Sequence, residues 1–240
     1  MEKLGILGGM GPMAGAYFYT RVIANTASND DKGHIPVILL GDPRVPDRTQ
    51  SILAGDDHAR NYLLHGIDFL ERSGADAIAI PCNTAHAYLE AMRSFTKLPI
   101  LDMPRLGVAY AVAAGNRRIG VLCTRGCRMA QVYPRAAEEL AARTVELPGS
   151  YALAVERLIY RQKAGEKILR DDYLPYLHRL LDMGADCVML ACTEISYAFG
   201  GEVSDMHIDA LEILAKTAVA LFRGKISEVE VGAFLRAPST

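Results

Sequence analysis

The chain has 240 residues, 50% of them hydrophobic and 22% charged, with a formal net charge of −2. That length suits one large domain or two small ones. The near-neutral balance excludes a general attraction to nucleic acid or to a membrane surface, and no apolar run approaches the roughly 20 residues of a transmembrane helix.

Lys3-Leu4-Gly5-Ile6-Leu7 is expected to open the chain as a strand, and no secretory leader is expected. Short apolar runs then recur at 36–40, 77–80, 99–101, 118–122, 145–147 and 187–190. Runs of this kind fit strands buried on both faces of a parallel sheet. Between them lie amphipathic stretches at 57–73, 129–142, 152–163 and 173–183, and a last one at 210–223. Gly74 and Gly184 stand where helix C-caps belong. The alternation predicts an α/β fold with right-handed crossovers. The five cysteines are odd in number and do not form a disulfide framework. Reduced thiols and a cytoplasmic location follow as the expectation. Cys123 and Cys127 lack a second Cys or His pair at zinc spacing, so no metal site is expected.

One phrase occurs twice. Gly74-Ala75-Asp76-Ala77-Ile78-Ala79-Ile80-Pro81-Cys82-Asn83-Thr84 matches Gly184-Ala185-Asp186-Cys187-Val188-Met189-Leu190-Ala191-Cys192-Thr193-Glu194 at a constant offset of 110. Leu4-Gly5-Ile6-Leu7-Gly8-Gly9 likewise resembles Ile119-Gly120-Val121-Leu122-Cys123-Thr124. Two pseudo-symmetric, Rossmann-like lobes with parallel sheets are therefore expected. The first takes residues 1–98 with 210–240 and carries Cys82; the second takes 99–209 and carries Cys192. The tail after Gly224 is expected to be peripheral.

Ligands of open α/β sheets bind beyond the carboxyl ends of the strands, where both cysteines fall. Polar residues follow each one, Asn83-Thr84 and Thr193-Glu194, and read as helix starts. A thiol at a helix N-terminus has its thiolate stabilised, so a lowered pKa is expected for both. Two thiols facing one site suit proton transfer on both faces of one carbon, one charged and one neutral. Packing alone would explain a single buried cysteine, but it gives no reason for polar followers in both copies.

Gly9-Met10-Gly11-Pro12-Met13-Ala14 fits the dinucleotide fingerprint formally. The acidic strand end required about 20 positions later is replaced by Ser28-Asn29-Asp30-Asp31-Lys32-Gly33, which reads as a turn. The plainer reading is a tight turn that brings backbone, with Met10, near a small ligand. Arg48 lies in the loop Val45-Pro46-Asp47-Arg48-Thr49-Gln50, at the sheet edge of Cys82, and suits a carboxylate. Thr124 ends a second-lobe strand as a hydrogen-bond donor. Lys163 closes a helix, where a lysine also favours the dipole. His86 follows Cys82 by one helical turn and could orient the site; the other histidines read as structural.

At these motifs the sequence resembles the aspartate/glutamate racemase superfamily, and most of all its pyridoxal-independent aspartate racemases. The resemblance rests on Gly8-Gly9-Met10-Gly11-Pro12, Pro46-Asp47-Arg48-Thr49, Pro81-Cys82-Asn83-Thr84-Ala85-His86, Ile159-Tyr160 with Lys163 and Gly165, and Cys192-Thr193-Glu194-Ile195. It implies an active site between two lobes, no cofactor and a homodimer. It also implies Cys82 and Cys192 as the acid/base pair. Asn83, Thr84 and Thr193 would hold the amino-acid head, and Arg48 and Lys163 the side-chain carboxylate. Met10, Gln50, Thr124 and Glu194 complete the expected substrate contacts. The sequence departs from the family pattern at Ala191, where glycine is usual, at Gly126-Cys127 in place of Gly-Thr, and at Asp209-Ala210 in place of Asp-Thr. A glutamate or broad-specificity racemase, a maleate cis–trans isomerase and a non-catalytic amino-acid-binding protein are the alternatives.

Overall fold

The computed structural model describes residues 1–226. Two four-stranded parallel sheets form the frame. The first sheet contains β1 (Leu4–Leu7), β2 (Val37–Leu40), β3 (Ala77–Ala79) and β4 (Ile100–Leu101), in the order β2-β1-β3-β4. The second contains β5 (Arg118–Leu122), β6 (Arg143–Val145), β7 (Cys187–Leu190) and β8 (His207–Asp209), in the equivalent order β6-β5-β7-β8. The helices are α1 (Pro12–Asn25), α2 (Arg48–Ala54), α3 (His58–Arg72), α4 (Leu89–Phe95), α5 (Met103–Ala113), α6 (Arg125–Met129), α7 (Val132–Glu138), α8 (Gly149–Lys163), α9 (Arg170–Asp182), α10 (Thr193–Phe199) and α11 (Ala210–Phe222). No helix among the described residues is long and apolar enough to cross a membrane.

The duplicated Gly-Ala-Asp phrase has the same structural job in both sheets. Gly74 and Gly184 follow the last residues of α3 and α9 with φ of +83° and +88°, a conformation that suits glycine at a helix end. Asp76 Oδ2 then accepts the backbone N–H groups of Glu2 and Lys3 at 2.7 and 2.8 Å. Asp186 Oδ2 accepts those of Arg117 and Arg118, both at 2.8 Å. Each aspartate fastens the start of its lobe's first strand, so the register that carries each cysteine to its strand end is fixed twice in the same way.

Four boundaries differ from the sequence expectation. β4 pairs with β3 in the first sheet, so that sheet's last strand lies beyond residue 98. The strand expected at 145–147 is 143–145, paired with β5 through Arg118, Ile119 and Gly120. The helix expected at 129–142 is shorter: α6 ends at Met129, and α7 runs from Val132 to Glu138 after Gln131, whose φ of 53° is left-handed. The strand β8, which the apolar pattern did not show, carries the buried polar residues His207 and Asp209.

Each lobe has its own core. Leu63, Ile67 and Ile78 lie in one, and Val155, Leu177 and Val188 in the other. A third buried cluster joins the lobes: Phe18 and Val22 of α1, Leu106 and Ala111 of α5, and Leu214 and Ala218 of α11. α11 therefore packs on α1 as well as α5. The Arg21 guanidinium and the Asn25 amide both donate to the Glu212 carboxylate, at 2.7 and 3.0 Å, and tie α1 to α11. Within the piece 210–240 assigned to the first lobe, residues 227–240 lie outside the described residues.

Candidate active site

Cys82 and Cys192 lie just past β3 and β7 and line one narrow recess between the lobes. Both are buried and neither is in a disulfide. Met10, Asp47, Arg48, Thr49, Asn83, Thr84, Thr124, Lys163, Thr193 and Glu194 complete the lining. The structure thus gathers every sequence-predicted site residue except Gln50. Gln50 is exposed; its backbone N–H caps onto Asp47 Oδ1 at 2.9 Å. Outward, the recess meets a larger cleft through Met10, Asp47, Arg48, Lys163, Thr193 and Glu194.

Contacts across the lobe boundary hold the two thiols in relation to each other. Thr84 and Thr124 hydroxyls meet at 2.9 Å. Tyr133 of α7 donates to Asn83 Oδ1 at 2.5 Å. Tyr160 of α8 reaches both carboxylate oxygens of Asp47, at 3.2 and 3.1 Å. Gly126 of α6 lies so close to α2 that an added Cβ would stand 2.7 Å from Thr49 Cα. A departure from the family motif, at Cys127, therefore adjoins a close interlobe approach.

Two cations and two acids share the recess. The Arg48 side chain donates to the carbonyls of Pro46 and Met10 at 3.0 and 3.1 Å. Its Nε makes no hydrogen bond among the described residues, and neither does Asn83 Nδ2. Buried donors of this kind are costly unless an acceptor meets them. Lys163 Nζ lies 4.0 Å from Glu194 Oε1 and 5.3 Å from the Tyr160 ring centre. Burial works against the Lys163 ammonium, but Glu194 and Cys192 outweigh it and hold its pKa above the usual lysine value.

The two cysteines differ in setting. Thr193 begins α10 with Cys192 as the residue just outside it, as expected. On the other side Thr84–Tyr88 is a 3₁₀ turn that leads into α4, so the expected α-helix start is absent there. The Cys192 thiol donates to Glu194 Oε2 at 3.0 Å. Burial pushes its pKa well above the ordinary value, and the Glu194 carboxylate adds to the rise while Lys163 opposes it. The lowered pKa expected for Cys192 from its helix start is thus reversed, because desolvation and an adjacent carboxylate outweigh the helix amides.

The Asp/Glu/hydantoin racemase family model matches residues 7–218. The chain belongs to this family. Relatives with different named substrates surround it within the Asp/Glu/hydantoin racemases. The Picrophilus torridus aspartate racemase superposes with a TM-score of 0.78 at 26% identity, covering 98% of this chain and 99% of that one. A broad-specificity amino-acid racemase of Bacillus subtilis is 26% identical over 227 residues, 91% of this chain and 97% of the relative. A glutamate racemase of Desulforudis audaxviator is 30% identical over 193 residues, 78% of this chain and 67% of the relative.

Sequence reasoning missed Asp47 and Thr49 as lining residues and Tyr133 and Tyr160 as interlobe donors. Asp47 was legible as a helix-capping residue one position before Arg48. The tyrosines carry no local signal, because their partners are 50 and 113 residues away.

Proposed function

We propose that this chain is a cofactor-independent amino-acid racemase that interconverts L- and D-aspartate by two-base proton transfer at Cα. The observation that carries the proposal is the pair of cysteines from two equivalent strand ends lining one recess with Arg48 and Lys163. One thiolate takes the Cα proton and the opposite thiol returns one to the other face. The pair then holds the same single proton, on the other sulfur. Cys192, with its raised pKa, is the resting thiol and first acid. Cys82 lies on the opposite side of the recess, beside the Arg48 guanidinium.

The Cα–H bond is a weak acid, so the carbanion must be met by donors already in place. Asn83 Nδ2 is such a donor. Thr84, Thr124 and Thr193 add hydroxyls, and Lys163 with Arg48 holds the side-chain carboxylate. The aspartate assignment draws on these two cations and on the Picrophilus relative. A broader substrate range has one observation in its favour. The cleft beyond Lys163 is lined by Met13, Tyr17, Ile168, Leu169 and Tyr197, which would take longer or apolar side chains.

The test is a panel of L- and D-amino acids in deuterated water, read by loss of the Cα proton signal and by optical rotation. Aspartate should lose its signal and racemise. Turnover of apolar amino acids alone would move the assignment to the broad class, and turnover of none would sink the racemase reading.

A further inference from the structure

The offset of 110 that relates the two cysteines also relates the residues four positions after them, His86 and Ser196. Both are buried polar side chains, and neither is among the residues that line the recess. His86 Nε2 accepts the Met103 N–H at 3.2 Å, which places the ring proton on Nδ1; Nδ1 donates to the Cys82 carbonyl at 2.9 Å. The ring thereby joins the Cys82 backbone to the junction of β4 and α5. Ser196 sits in the first turn of α10, where its N–H donates to the Cys192 carbonyl at 3.1 Å. Its hydroxyl donates to Asp209 Oδ1 at 2.6 Å, at the junction of β8 and α11. Asp209 also caps α11, accepting the Leu211 and Glu212 N–H groups at 2.9 and 3.3 Å. Asp102 caps α5 in the same way, accepting the Arg105 N–H at 3.1 Å. Each lobe thus anchors its cysteine turn to the start of the helix after its fourth strand.

We infer that His86 and the Ser196–Asp209 pair are face-specific positioning residues: His86 sets the placement of the Cys82 sulfur, and Ser196 with Asp209 sets that of Cys192. The inference rests on the two-thiol reading above. Neither anchor lines the recess, so each acts through the backbone of its cysteine. A base must lie within about 3–3.5 Å of the proton-bearing carbon, and a displacement near 1 Å can cost about 100-fold in rate. The anchors share no hydrogen-bond partner, so loosening one leaves the other thiol in place.

Racemisation needs both thiols and would not separate the faces. Elimination from the L- and D-enantiomers of 3-chloroaspartate does. One thiolate removes the Cα proton, that electron pair forms the Cα=Cβ bond, and chloride leaves with the Cβ–Cl pair. The enamine tautomerises and hydrolyses to oxaloacetate and ammonium. Cys82→Ala identifies which enantiomer depends on Cys82. His86→Ala should lower elimination from that same enantiomer by at least about 10-fold relative to the other. Ser196→Ala and Asp209→Ala, which remove the hydroxyl donor and its Oδ1 acceptor, should shift the ratio by a similar factor in the opposite sense. His86→Asn, which keeps a donor near the Nδ1 position, should restore most of the ratio. Both rates come from one preparation, so their ratio is independent of the folded fraction. Equal losses on both enantiomers, or an unchanged ratio, would overturn the inference while wild-type elimination from both leaves the two-thiol reading standing. Wild-type elimination from neither enantiomer would overturn that reading and the inference with it.

Discussion

Gly126→Ala puts the interlobe geometry to the test. A Cβ there would lie 2.7 Å from Thr49 Cα and from Thr49 Oγ1. Ordinary contact begins near 3.4 Å, so α6 and α2 must separate by about 0.7 Å. Overpacking of this kind costs roughly 1–3 kcal/mol. The catalytic cost should be larger than the stability cost suggests. α2 carries Arg48 and α6 follows Thr124, so the separation widens the recess that holds both thiols. A shift near 1 Å in such a site can cost on the order of 100-fold. The expected outcome is a kcat reduced by about 10- to 100-fold, with thermal unfolding lowered by only a few degrees. Racemisation followed by circular dichroism, beside a melting curve, reads both. Adding Thr49→Ala should restore little, because the Thr49 Cα itself is the obstacle. A kcat within threefold of wild type would show that the spacing between the lobes does not limit the chemistry.

Tyr160→Phe removes the donor to Asp47, a hydrogen bond to a charged group worth roughly 1.5–3 kcal/mol when buried; Tyr160 is half-buried, so a KM increase of about 5- to 10-fold is expected in steady-state kinetics. Glu194→Gln removes the carboxylate that helps hold the Cys192 pKa up. The acid limb of the rate for which Cys192 is the base should therefore move to lower pH, seen in the pH profile of one enantiomer and not of the other. Asp209 is pushed up to about 6 by burial, from 3.8 when free. The folded state therefore binds this proton more tightly than the unfolded chain does. Its contribution is present below about pH 4 and is lost as pH rises through 6, about 3 kcal/mol in all. Asp209→Asn should remove that slope from the difference between variant and wild-type unfolding curves at pH 4 to 7.

Much of this organisation was legible in the sequence, because its strongest signal is a repeat. The Gly-Ala-Asp phrase fixed both the fold symmetry and the position of the thiols, and its physical basis is local: a helix end, then an aspartate that fastens the neighbouring strand. The strand β8 escaped notice because His207 and Asp209 break its apolar pattern. His207 Nδ1 meets the Ser204 hydroxyl, and Asp209 Oδ1 accepts from Ser196, a contact across 13 residues that no local pattern shows. The break at Gln131 escaped too, although Pro134 in the first turn of α7 is a helix-start signal that the sequence carries. The rise in the Cys192 pKa was hidden for a different reason. The helix start was readable, but burial and the approach of Glu194 belong to tertiary packing. The contacts across the lobes, such as Tyr133 to Asn83, depend on chain segments far apart in sequence.

The measurement that bears most directly on the two-thiol mechanism is Cα deuterium incorporation from L- and D-aspartate by the wild type, Cys82→Ala and Cys192→Ala. The wild type should racemise both enantiomers with one solvent deuteron placed at Cα. Each single variant should lose racemisation, and any residual exchange should be confined to one enantiomer, opposite for the two variants. Unimpaired racemisation in either variant would contradict the mechanism.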